Sequence, residues 1–74
     1  MTTSVTQSVA AEVRAELARK RIPQSDLAEV LGVSQAGISR RLSGATPFDV
    51  NELAAVAAFL GVPVGKLMPA ENVA

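Results

Sequence analysis

Only three residues, Gly32-Val33-Ser34, separate two short runs of helical periodicity, and that spacing leaves the chain little choice but a helix, a tight turn and a second helix lying across the first. In the first run, Gln24 to Leu31, the apolar positions Leu27, Ala28 and Leu31 share a face. In the second, Gln35 to about Ser43, Ile38 and Leu42 lie four apart and should face inward. Gly32 follows the first run, where a left-handed residue commonly ends a helix and glycine adopts it without steric cost. Ser34 is a good N-cap for the second run, and Gly44 stops it. Ala28 is small where two helices must cross closely, and Val33 with Ile38 pins the second helix on the first.

The rest of the chain is punctuated in the same way. Val5, Val9, Val13 and Leu17 form a stripe on a first helix from about Val5 to Arg21, which Ile22-Pro23 ends. Asp49 and Glu52 read as a capping box opening a fourth helix with Val50, Leu53, Val56, Ala57 and Leu60 buried, and Gly61 closes it. Val62-Pro63 starts a short fifth helix through Val64, Lys66, Leu67 and Met68. Residues 1–4 read as a frayed lead-in and 69–74 as a loose tail or a linker to a further domain. With 74 residues, two aromatics (Phe48 and Phe59) and an excess of Ala, Leu and Val, one all-α domain, a compact five-helix bundle, is expected.

Composition removes several function classes. The absence of cysteine and histidine leaves no disulfide, thiolate or imidazole metal site, and no cofactor is expected. Asp49 and Glu52 serve capping better than acid-base chemistry, so an enzyme is not expected. No apolar run approaches the roughly 18 to 20 residues that span a bilayer, and the polar start lacks a signal-peptide pattern, which points to the cytoplasm.

Seven basic and seven acidic residues cancel, which at first argues against a nucleic-acid partner. Their distribution is permissive: between Val30 and Phe48 there is no acid, while Arg40 and Arg41 stand there together. The outward stripe of the third helix is Gln35, Ala36, Ser39, Arg40 and Ser43. A helix that reads bases needs side chains of this kind. The Gln35 amide matches adenine N6 and N7, Ala36 fits a thymine methyl, Ser39 bonds either kind of edge, and Arg40 reaches guanine or a phosphate. Gln24, Ser25, Arg41 and Ser43, with Ser34 at the helix N-terminus, are placed for backbone phosphates. Arg19, Lys20 and Arg21 either meet phosphate or stabilise the negative end of their own helix. Val62, Pro63, Val64, Leu67 and Met68 either close the core or pair two copies of the chain, and Phe59 belongs to the same question.

The run Gln24-Ser-Asp-Leu-Ala-Glu-Val-Leu-Gly-Val-Ser-Gln-Ala-Gly-Ile-Ser-Arg-Arg-Leu-Ser-Gly44 resembles the helix-turn-helix of the Cro and lambda-repressor-like, or XRE, family. Pro47-Phe-Asp-Val-Asn-Glu-Leu and Leu60-Gly-Val-Pro-Val-Gly-Lys-Leu67 resemble its fourth and fifth helices, so the likeness covers about Val9 to Met68. The resemblance implies a five-helix bundle, double-stranded operator DNA as ligand, and a homodimer on a near-palindromic site. By position it makes Gln35, Ala36 and Ser39 base-reading and Gln24 and Ser43 phosphate-binding. Three positions depart: Pro23 replaces the usual Ser or Thr cap, Arg41 stands where a large apolar residue packs, and Leu42 where Glu is frequent. The leading expectation is a sequence-selective repressor-like transcription regulator, of phage or mobile-element type. An antitoxin or recombination accessory factor with the same helices, and a protein-interaction module that never meets DNA, are the alternatives.

Overall fold

The first helix begins at Ser4, whose hydroxyl accepts the Gln7 N–H at 3.1 Å. Ser4 is therefore a helix cap and not part of a frayed lead-in. The computed structural model describes residues 4–69; the remaining lead-in residues 1–3 and tail residues 70–74 lie outside the described residues. Five helices follow in order: α1 Val5–Lys20, α2 Gln24–Leu31, α3 Gln35–Ser43, α4 Val50–Leu60 and α5 Val64–Leu67. The fold is all-helical, as the periodicity and composition imply.

α1 stops one residue earlier than the sequence implies. Arg21 turns left-handed at φ 56°, the one non-glycine residue among those described to do so. Its N–H reaches the Ala18 carbonyl and Ile22 N–H the Leu17 carbonyl, which satisfies the last carbonyls of α1 and folds Ile22 back on the core. α2, α3 and α4 end on glycines in the same left-handed region.

The core is aliphatic: Val9, Val13 and Leu17 of α1 meet Leu27 of α2, Ile38 and Leu42 of α3, Val56 and Leu60 of α4, and Leu67 of α5. α3 packs on both α1 and α2, α2 also on α4, and α5 closes the bundle against α1 and α4. Two sequence assignments are corrected by this packing, and of the two places open to Leu67 the core is the one it takes. Val5 is 56% exposed, because a four-residue step overshoots a helical turn by about 40° and the stripe drifts away from the core over three steps. Val50 is 84% exposed, since it heads α4 and its Cβ leans toward the helix start, beyond the neighbouring helices. Leu67, a candidate for a surface patch, is fully buried, anchoring the four-residue α5 in the core. None of the helices in the described residues is long and apolar enough to cross a membrane.

Candidate nucleic-acid interface

α3 is held at both ends by its own sequence. The Ser34 hydroxyl accepts the Gly37 N–H at 2.9 Å. At the other end Gly44 has φ 88°, a conformation that favours glycine, and a Cβ there would come within 3.2 Å of the Gln7 side chain of α1, a tight contact. Between these ends Gly37, Ile38 and Leu42 are buried. Gln35, Ala36, Ser39, Arg40 and Ser43 are exposed on the other side. The four residues expected to read bases, Gln35, Ala36, Ser39 and Arg40, thus share one solvent face of one helix.

Arg41 does not join them. Its Nε and Nη2 donate to the two carboxylate oxygens of Glu52, each at 3.1 Å, and its Nη1 donates to the Gly37 carbonyl at 3.0 Å. Both side chains of the pair are only 18% exposed. Glu52 is engaged a second time, because its Oε1 accepts the Asp49 N–H at 3.1 Å while Asp49 accepts the Glu52 N–H at 2.7 Å. The capping box read from the sequence is present, and the same carboxylate also clamps α3 to the start of α4. The hydrogen bond from Arg41 is the main reason that the Glu52 carboxyl sits below its ordinary value of 4.5, and in return Glu52 raises Arg41. A residue advance of about 100° is what turns Arg41 toward α4 while Arg40 stays in solvent. Arg41 is therefore a buttress of α3, and the expectation of a free phosphate-binding guanidinium there is corrected. Gly37 makes the room: a Cβ at that position would lie 3.3 Å from Arg41 Nη1.

The basic cluster at the end of α1 also has an internal partner. Glu16 is 2% exposed and receives Arg19 at 2.8 Å, Lys20 at 3.7 Å and Lys66 of α5 at 3.4 Å. The Arg19 hydrogen bond is the leading cause that holds its carboxyl below 4.5. Glu16 follows Val9 by seven residues and Val13 by three, so the helical period carries it onto the buried stripe of α1, and three cations within reach make its burial tolerable. Arg21 is exposed on its left-handed turn.

Gln24, Ser39 and Ser43 come together, with Leu42 and Arg14, around a single polar hollow. Ser25 is exposed in the first turn of α2, whose N-cap, Pro23, supplies no side-chain bond. Ser43 donates to the Arg40 carbonyl at 2.9 Å and accepts from the Ala45 N–H at 3.3 Å. Arg14, passed over by the sequence reading, donates through Nη1 to the Leu42 carbonyl. Its only sequence signal is its place as the one cation on α1 before the terminal cluster. Elsewhere, Val5, Val9, Phe48, Val50, Leu53 and Met68 line an apolar groove, and of the other candidate pairing residues Pro63 and Val64 are exposed and Val62 is half-buried.

Two short helices crossing through a glycine turn, the second with a buried and an open face, define a helix-turn-helix domain. A helix-turn-helix family model (HTH_3) matches residues 13–67, and the chain belongs to this family, of the Cro and lambda-repressor-like, or XRE, type. Among solved structures, the chain is similar to the clp gene regulator ClgR from C. glutamicum, with 26% identity, 89% of this chain and 86% of that chain covered, and a TM-score of 0.82. It is also similar to the DNA-binding domain of BldD, with 24% identity, 93% of this chain and 100% of that chain covered, and a TM-score of 0.75, a likeness of fold. No curated protein matches.

Proposed function

We propose that the protein is a DNA-binding transcription regulator that recognises a particular duplex sequence and acts, in the Cro-like or repressor-like manner, by occupying an operator. The observation that carries this reading is the division of α3. Every group on its inner side is buried or bonded, while Gln35, Ala36, Ser39 and Arg40 stand together in solvent without an acid among them. In this reading those four meet base edges, and Gln24, Ser25, Ser34 and Ser43 meet backbone phosphates. Family membership and the likeness to a gene regulator support it.

With a net charge of zero, non-specific affinity for DNA is weak, and selectivity carries a larger share of the binding than in a basic domain. A homodimer on a near-palindromic site supplies the rest. The exposed apolar residues Val64 and Met68, with Pro63 and the groove beside Phe48 and Val50, are the surface for that pairing. Two copies so joined would set their α3 helices about 34 Å apart, one turn of duplex. Such a regulator works in the cytoplasm, with the DNA.

The test is the double variant Gln35→Ala with Arg40→Ala against a duplex selected by the wild-type protein. Preference for that duplex should collapse while the helical circular dichroism is unchanged, since each good base contact contributes about 1–3 kcal/mol of discrimination. Equal binding of the wild-type protein to all sequences would sink the claim of selectivity.

A further inference from the structure

Of the seven lysines and arginines, Arg19, Lys20, Arg41 and Lys66 each pair with a carboxylate among the described residues, and Arg14, Arg21 and Arg40 do not. Arg40 lies on the outward face of α3. Arg14 is the cation of the polar hollow, and its position is unusual: it reaches from α1 across 28 residues of sequence to the Leu42 carbonyl. That carbonyl belongs to the last turn of α3, where the helix leaves its acceptors without internal partners. The Arg40 and Arg41 carbonyls take the N–H groups of Gly44, Ala45 and Thr46, and the Leu42 carbonyl takes Arg14. A guanidinium has five N–H donors, so this bond orients Arg14 without exhausting it.

Around it stand Gln24, at the start of a helix with no side-chain cap, and the hydroxyl-bearing Ser39 and Ser43. Among the described residues no carboxylate lines the hollow. With the Ser43 proton already given to the Arg40 carbonyl, the oriented Arg14 cation, the Ser39 hydroxyl and the Gln24 amide beside a helix N-terminus are the donor set for a tetrahedral anion. We propose that Arg14 is a phosphate-binding residue of the DNA interface, holding one backbone phosphodiester in this hollow. Arg14 thereby takes the place that Arg41 vacates by pairing with Glu52. Because the same guanidinium caps α3, the phosphate it holds sets the position of α3 along the groove. The inference rests on the DNA-binding reading above.

Binding of one duplex is measured between about 50 and 200 mM salt for the wild-type protein, Arg14→Gln and Arg14→Lys. Loss of one phosphate contact lowers the log–log salt slope by about 0.9, or about 3.5-fold in affinity change over that range. Arg14→Gln should show that decrease, on specific and random duplex alike, and Arg14→Lys should keep the wild-type slope. A merely structural cap would weaken binding with the slope unmoved, and an unchanged slope in Arg14→Gln overturns the proposal. If Arg14→Gln does not fold, the side-chain Nε–H signal of Arg14 in the wild-type protein decides: it moves on titration with duplex, and a signal that stays still, or that moves only with inorganic phosphate at equal ionic strength, overturns it. A wild-type protein that binds no duplex at all overturns the DNA-binding reading and this inference with it.

Discussion

Arg40 and Arg41 are neighbours in sequence with opposite surroundings. Arg41 donates three hydrogen bonds, two to Glu52 and one to Gly37, and ties α3 to α4. Arg40 is exposed beside Ser39, with no carboxylate partner among the described residues. The contrast extends to the two sides of α3 as a whole. One side holds the helix in place through Ile38, Leu42 and Arg41; the other presents Gln35, Ala36, Ser39 and Arg40 to whatever lies outside. Rigidity on the first side is what makes a fixed pattern of donors and acceptors on the second useful for recognition.

The largest effect should come from the inner side. Ile38→Ala removes a fully buried side chain, and unfolding in urea should show a loss of about 2–5 kcal/mol. Glu52→Ala comes next, at about 1–2 kcal/mol, because it takes away half of the capping box and leaves Arg41 without its acceptor. Arg40→Ala should stay within about 0.5 kcal/mol in the same assay. A stability loss in Arg40→Ala as large as that in Arg41→Ala would break the distinction between the two arginines.

Acid should act on the same inner contacts. The folded carboxyls of Glu52 and Glu16 lie below the ordinary 4.5, so the stability they contribute is whole above that value and is lost as pH falls through the folded values. Thermal unfolding followed from neutral to acid pH should thus fall off below about pH 4.5. Glu52→Gln should flatten part of that fall, having no charge left to lose. An identical acid profile in the variant would mean that the Arg41 clamp contributes nothing to it.

Much of this fold was legible because its punctuation is local. The bounds of α2 and α3 follow from Gly32, Ser34 and Gly44, and the cap of α4 from the spacing of Asp49 and Glu52, all readable within a few residues. What escaped is long-range. Nothing near Arg41 announces Glu52 eleven residues on, nothing near Arg14 announces the Leu42 carbonyl, and nothing near Glu16 announces Lys66, its third cation, arriving from α5. Val5 and Val50 failed for different reasons: the stripe of α1 has drifted off the core by Val5, and Val50 heads α4, where its Cβ leans beyond the neighbouring helices. The outward face of α3 was the easiest part of the site to read, since it needs only the helical period.

Selection of bound duplexes from a random pool tests the open face of α3 most directly. The wild-type protein should enrich one consensus, with two related half-sites about 34 Å apart, and Gln35→Ala should relax the preference at particular positions within each half-site. A pool that remains random after repeated rounds, or a consensus indifferent to Gln35, would contradict the assignment of that face to base recognition.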